Sequence, residues 1–208
     1  SYHGEPIAAA DALIGGLATI DGRNVVVGCE DFTVMGGSIG HATNAKKIRL
    51  ASLALQERLP FISLLEGSGE RTSNALSRHP FAPSDMQILA KLSGIVPTVA
   101  LIVGPSAGHG AITGMLKDFI VMTSDACLFA AGPPLVEAAL GEKISKQALG
   151  GAAMHTSVSG VAHNQVDDFL QGVRLVRHYL SFFPASAYQL AAQKQSALSQ
   201  SRSLVEVF

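Results

Sequence analysis

The sequence predicts an α/β domain with a mostly parallel main sheet. Three observations predict it. Short apolar runs of strand length alternate in regular order with segments of helical period. Two glycine-rich segments each follow a buried run, the position of ligand loops in such sheets. Apolar residues make up 48% of the 208, enough to build the core of one domain.

Ala12 to Ile20 and Asn24 to Cys29 read as strands, separated by the turn dipeptide Asp21-Gly22. Phe32 to Met35 reads as a third strand that runs into Gly36-Gly37. From Thr43 to Leu59 the period lengthens. Ile48, Ala51, Leu55 and Leu59 share a helical face, ringed by Lys46, Lys47, Arg49, Gln56 and Glu57, and Pro60 stops the helix. Phe61 to Leu65 is a compact strand, followed by a polar stretch, Glu66 to Arg78, too long for a simple turn. Ser84 to Gln87 has the form of a capping box, opening a helix with Ile88, Leu89 and Leu92 inward. Thr98 to Val103 is a buried strand, and Gly104 to Gly110 opens the next helix. Phe119 to Met122 and Cys127 to Ala130 read as further strands. Asn164 reads as the cap of a last helix to Leu180, with Phe169, Val173, Val176 and Leu180 on one face. After Pro184 the composition turns to Ala, Gln and Ser. The domain is therefore placed at 1–184, and 185–208 read as a linker or an isolated helix.

The formal charge of -1 argues against a nucleic-acid face, which needs clustered cations. Cys29 and Cys127 form no CxxC pair, and the seven His lack ligand spacing, so neither a disulfide framework nor a metal is expected. No apolar run reaches membrane-span length, and no signal peptide is read. The first residue is Ser, which reads as a cut start. Charged residues are only 15%, low for a solvated surface, so part of the surface is expected to lie against another chain or domain.

The chemistry concentrates in the two glycine-rich loops, Glu66-Gly67-Ser68-Gly69-Glu70-Arg71 and Gly104-Pro105-Ser106-Ala107-Gly108-His109-Gly110-Ala111. Glycine lets the backbone approach a ligand, and a helix N-terminus presents free N–H groups. Side by side, the loops could aim two N–H donors at one oxygen, an oxyanion hole worth about 3–4 kcal/mol per donor. Either loop alone reads more readily as packing. Gly104 to Gly108 also spells G-x-S-x-G, the serine-hydrolase elbow, with Ser106 as nucleophile, His155 or His163 as base, and Asp118 or Asp125 as acid by chain order. Glu70 and His109 have bland readings as a solvated side chain and a helix-start residue. The cluster Lys46, Lys47 and Arg49 is either a solvated face or a phosphate contact.

The order of motifs resembles the carboxyltransferase β family of biotin-dependent acyl-CoA carboxylases. The resemblance covers roughly residues 10–184. It runs through Gly15-Gly16, Asp31 to Gly37, Arg58-Leu59-Pro60, Gly67 to Arg71, Ser106 to Ala111 and Asp118. It continues through Gly132-Pro133-Pro134-Leu135-Val136, Gly141-Glu142, Leu149-Gly150-Gly151-Ala152, His155 and Ser159-Gly160-Val161. The resemblance implies a ClpP/crotonase-like fold of repeated ββα units. It implies an acyl-CoA-binding first half, with a biotin-binding C-terminal carboxyltransferase half elsewhere, and an active site shared between the two in an oligomer. It implies carboxybiotin carried on a partner protein, and biotin carboxyl carrier and biotin carboxylase subunits as partners. Cytoplasm or mitochondrial matrix is the implied compartment.

By resemblance, N–H groups near Gly69, Glu70, Gly108 and His109 form the oxyanion site. Gly36, Gly37, Ser38, Lys46, Gly67, Ser68, Arg71, Ser106, Ala107 and Gly110 would contact acyl-CoA. The family loops usually read Gly-Gly-Ala-Arg and Ala-Gly-Gly-Ala. Ser68 and His109 depart from them and bear on acyl choice. Three alternatives accompany this reading: a biotin-independent crotonase-fold decarboxylase, a non-catalytic assembly subunit, and the hydrolase above.

Overall fold

A computed structural model describes residues 10–74 and 84–190. The strands are β1 (Leu13–Ile20), β2 (Arg23–Glu30), β3 (Phe61–Gly67), β4 (Thr98–Ala107), β5 (Phe119–Thr123), β6 (Cys127–Phe129) and β7 (Asn164–Val166). The helices are α1 (His41–Glu57), α2 (Asp85–Ala90), α3 (Gly108–Met115), α4 (Pro133–Leu140), α5 (Lys146–Gly150), α6 (Ala152–Met154) and α7 (Phe169–Leu180).

The strands form one sheet in the order β1-β2-β3-β4-β5-β7, with β6 paired to β4 off that path. β1 and β2 are an antiparallel hairpin, and every other pairing is parallel. Alternate residues of each strand serve opposite faces. Val26 and Phe61 join Leu50, Ala54, Leu89 and Leu92 on the side of α1 and α2. Val25, Ile62, Val99 and Leu101 pack under Val176 and Leu180 of α7. A third cluster, including Ala100, Ile102, Ala111, Met122 and Leu128, fills the space around α3 and β6. Burial on both faces explains the near-continuous apolar runs of the parallel strands.

β4 changes partner along its length. Val99 to Ile102 pair with β5, and Pro105 to Ala107 pair with β6. The strand therefore reaches Ala107, four residues past the expected end at Val103, and α3 starts at once at Gly108.

Three expectations need correction. Phe32 to Met35 is a turn, not a strand. Asp31 Oδ1 accepts from the N–H and hydroxyl of Thr33, and Met35, Gly36 and Gly37 all have positive φ, which a strand cannot accommodate. Asn164 caps nothing. It opens β7, which pairs with Val121 to Thr123, and Asp168 caps α7 by accepting from the N–H of Gln171. In α1, Lys47 leaves the expected solvated ring for the interior, and Leu50, Ala51 and Ala54 form the buried stripe. The expected domain edge falls within the described residues, whereas 191–208, most of the expected linker or helix, lie outside them. Among the described residues no helix is long and apolar enough to cross a membrane.

Candidate active site

The loop after β3 is built by close backbone approach. Residues 36–39 run beside it. Ser68 N–H donates to the Gly36 carbonyl (2.9 Å), Ile39 N–H to the Gly69 carbonyl (2.8 Å), and Arg71 N–H to the Ile39 carbonyl (3.0 Å). A Cβ at Gly37 would lie 2.2 Å from the Glu66 carbonyl oxygen, and one at Gly67 would lie 2.6 Å from the Gly37 carbonyl oxygen. Glycine at both positions is thus a condition of this contact. The structure brings Gly36 and Gly37 against Gly67 and Ser68.

The second loop arrives from β4. Its helix, α3, has Ala107 as N-cap, and alanine supplies no side-chain cap to the first-turn N–H groups. The positive end of the helix dipole lies there too. Gly69 (φ +89) and Gly108 (φ +57) meet at this point. A Cβ at Gly69 would lie 3.0 Å from the Ala107 carbonyl oxygen and 3.5 Å from the Gly108 Cα, and one at Gly108 would lie 3.6 Å from the Gly69 Cα. Both residues use left-handed backbone, which turns their peptide planes and keeps the junction free of side chains.

Other expected site residues are placed differently. Arg71 is held inside the protein: its Nη2 pairs with Asp11 at 2.5 Å, and its Nε donates to Ser38 Oγ at 3.0 Å. Burial pushes the Asp11 carboxyl up, but hydrogen bonds from Arg71 and Thr43 outweigh it and hold the group below its ordinary value. Lys46 Nζ donates to the carbonyls of Ala10 and Leu13. Both cations thus have internal partners in this structure. Glu70 is exposed at the loop rim and Ser68 beside it is exposed too. Ala107 is half-buried and Gly110 buried; a Cβ at Gly110 would lie 3.6 Å from Ser106 Oγ.

Ser106 lies inside β4 with no exposure, and its Oγ has no hydrogen-bond partner among the described residues. A nucleophile elbow needs an exposed serine on a turn beside a histidine. His155 is instead bonded to Ser159 Oγ (2.8 Å) and the Leu128 carbonyl (2.7 Å), and His163 accepts the Ile120 N–H (3.1 Å). The geometry does not build the hydrolase triad.

Sequence reasoning missed a buried polar layer beneath the loops. Lys47 Nζ lies 2.7 Å from Glu30 Oε1, and Glu30 Oε2 accepts the Glu66 N–H at 3.0 Å. Asp85, with no exposure, is bonded through Oδ1 to His109 Nε2 at 2.6 Å. Lys117 places its Nζ 4.3 Å from the Phe61 ring centroid, and burial, followed by the charge of Lys47, brings its pKa down to about 7. Glu30, Lys47, His109 and Asp85 lie far apart in the chain, and no local spacing pairs them.

Two surface cavities lie elsewhere. One of about 410 Å³ separates β1 from α1 and includes Lys46 and Arg49. Another of about 320 Å³ sits by Pro60, Pro97 and Tyr179 at the opposite ends of the strands. Neither includes Gly69, which is buried, or Gly108, which is half-buried.

The chain was compared with known proteins. The carboxyl transferase domain family matches residues 2–206. The methylmalonyl-CoA carboxyltransferase 12S subunit of Propionibacterium freudenreichii subsp. shermanii is 34% identical over 178 residues, 86% of this chain and 34% of that protein. The carboxyltransferase subunit of propionyl-CoA carboxylase from Haloferax mediterranei is 35% identical over 84% of this chain and 34% of its own. Among solved structures, a transcarboxylase 12S hexamer with methylmalonyl-CoA bound superposes with a TM-score of 0.80 at 34% identity, covering 88% of this chain and 36% of that one. The beta subunit of geranyl-CoA carboxylase from P. aeruginosa gives 0.77 at 30% identity, over 88% of this chain and 35% of that one. The chain thus spans about a third of the length of these relatives. With its crotonase-like α/β sheet and the match over nearly its whole length, the chain belongs to the carboxyl transferase domain family.

Proposed function

We propose that this chain is the acyl-CoA-binding half of a biotin-dependent carboxyltransferase. The observation that carries the reading is the contact of Gly69 with Gly108 at the uncapped start of α3. Main-chain N–H groups of Gly69, Glu70, Gly108 and His109 bind the thioester oxygen and stabilise the enolate that forms when the α-proton leaves. Such donors accelerate the reaction because they hold the developing charge more tightly than the ground-state carbonyl. Donors of this kind fit a biotin ureido oxygen as well as a thioester oxygen. Carboxybiotin, carried on a partner protein, supplies the carboxyl group and a basic nitrogen for the α-proton. No side chain at the glycine junction then needs to act as base.

The exposure of Ser68 and Glu70 at the rim, with Gly108 half-buried, fits an active site that a second carboxyltransferase half completes, with acyl-CoA held between the two. The exposed apolar helix α4, which buries none of its residues, fits an oligomer. Biotin carboxylase and carrier subunits are the further partners this reading implies. Gly36 and Ser68 line the acyl-CoA side of the loop over the buried Gly37 and Gly67, and Lys46 and Arg71 shape that surface through their internal bonds. The relatives do not favour a biotin-independent decarboxylase or an assembly subunit.

Calorimetry of the complete protein with propionyl-CoA, then with CoA alone, tests the reading. Binding of the thioester that Gly108→Val abolishes is expected. No binding at millimolar propionyl-CoA would contradict it.

A further inference from the structure

His109 is the second residue of α3, and the resembling family usually has glycine in this loop. Its imidazole does not lie loose at the junction. Nε2 is hydrogen-bonded to Asp85 Oδ1 at 2.6 Å, and the side chains of the two residues are 16% and 0% exposed. Asp85 is the first residue of α2, fixed by Ser84, whose Oγ accepts the Met86 N–H. Its other oxygen, Oδ2, accepts no hydrogen bond among the described residues. The carboxylate therefore has one direct partner there, and that partner is a side chain of the α3 first turn.

Burying a carboxylate is unfavourable unless a donor meets it, so the pair resists separation. Because His109 Cα is part of the first turn, the bond ties the direction of that turn to α2. Gly108 and Gly110 flank His109, and glycine on both sides leaves the backbone unusually free to reorient. A turn of that composition needs an external anchor to hold its N–H groups within the narrow limits that oxyanion binding requires.

We propose that His109 and Asp85 are positioning residues: their hydrogen bond sets the aim of the Gly108 and His109 N–H groups at the acyl thioester oxygen. This inference rests on the acyl-CoA reading above. The imidazole is engaged by Asp85, so the His109 side chain acts through its anchor, while the contact with substrate is left to the main-chain N–H groups.

The test uses the complete protein with its partner chains and [1-13C]propionyl-CoA. The readouts are the infrared carbonyl stretch of the bound thioester, and kcat and KM for carboxyl transfer. The wild type is expected to lower the carbonyl frequency. H109A and D85N are expected to lose at least half of that downshift and to lower kcat about tenfold, with KM within about twofold. H109Q, which can still donate to Asp85, is expected to recover part of both. A full downshift and unchanged kcat in H109A would overturn the positioning role and leave the acyl-CoA site standing. No downshift in the wild type would overturn the acyl-CoA reading itself, and this inference with it. Were D85N to unfold, the H109A and H109Q pair would decide alone.

Discussion

The two glycine loops meet at one point, but different forces hold them there. The first is fixed mainly by main chain: residues 36–39 lie against it through backbone hydrogen bonds, Gly37 and Gly67 permit the approach, and Glu30 and Arg71 add side-chain bonds at its two ends. The second is fixed by side chains beneath it, with His109 bonded to Asp85 and Glu30 held by Lys47 close under Gly110. A backbone-held loop tolerates many side chains but no added Cβ. A side-chain-held loop tolerates backbone variation but not loss of a buried partner. The departures from the family pattern, Ser68 and His109, follow this division. Ser68 is exposed on the first loop, whereas His109 is wired into the interior of the second.

Substitutions can break this contrast. The largest effect is expected from Glu30→Ala. It strands the Lys47 ammonium and the Glu66 N–H in the interior, and should cost about 3–5 kcal/mol in urea denaturation. Glu30→Gln retains an acceptor and should cost less. A cost below about 1 kcal/mol would mean that the buried layer does not support the loops.

Lys117→Met comes next. In the folded protein Lys117 titrates at about 7 rather than 10.5, because burial disfavours its charge. Between these values the unfolded chain binds the extra proton, so stability rises with pH across about 7 to 10.5 and the penalty is complete below 7. The substitution should therefore stabilise at pH 6 by at most about 5 kcal/mol, less whatever the Phe61 contact contributes, with the gain shrinking towards pH 10. Urea midpoints at the two pH values check this; an equal gain at both would contradict it.

Gly69→Ala should cost about 1–3 kcal/mol for the left-handed backbone and the Ala107 contact. Its effect on transfer should be larger, on the order of a hundredfold in kcat if one donor is displaced. Ser106→Ala should change stability by no more than about 1 kcal/mol and leave turnover intact, since its hydroxyl makes no hydrogen bond among the described residues. Turnover lost in Ser106→Ala would revive the nucleophile reading.

Most of the sheet was legible because buried parallel strands are continuous apolar runs, and Phe61 to Leu65 and Thr98 to Val103 stand out as such. The extension of β4 to Ala107 was not legible, since Gly104 to Gly110 reads as the opening of the next helix and the pairings that keep it extended, with β6 and with Gly67 of β3, are long-range. The three-residue strand Asn164–Val166 is polar at its start and resembles a helix cap without its partner β5. At the site, glycine marked the approach points because left-handed backbone and missing Cβ atoms are written in residue type. The anchors were not marked. Lys47 with Glu30 and His109 with Asp85 are long-range pairs, and a charge on a helix looks solvated until its partner is found.

The central claim is tested most directly by a crystal structure of the complete protein with a non-hydrolysable acyl-CoA thioether or amide analogue that keeps the carbonyl. The account predicts the carbonyl oxygen within roughly 2.7–3.1 Å of a main-chain nitrogen of Gly69, Glu70, Gly108 or His109. A carbonyl bound in the groove between β1 and α1, or against any surface remote from the glycine junction, would contradict it.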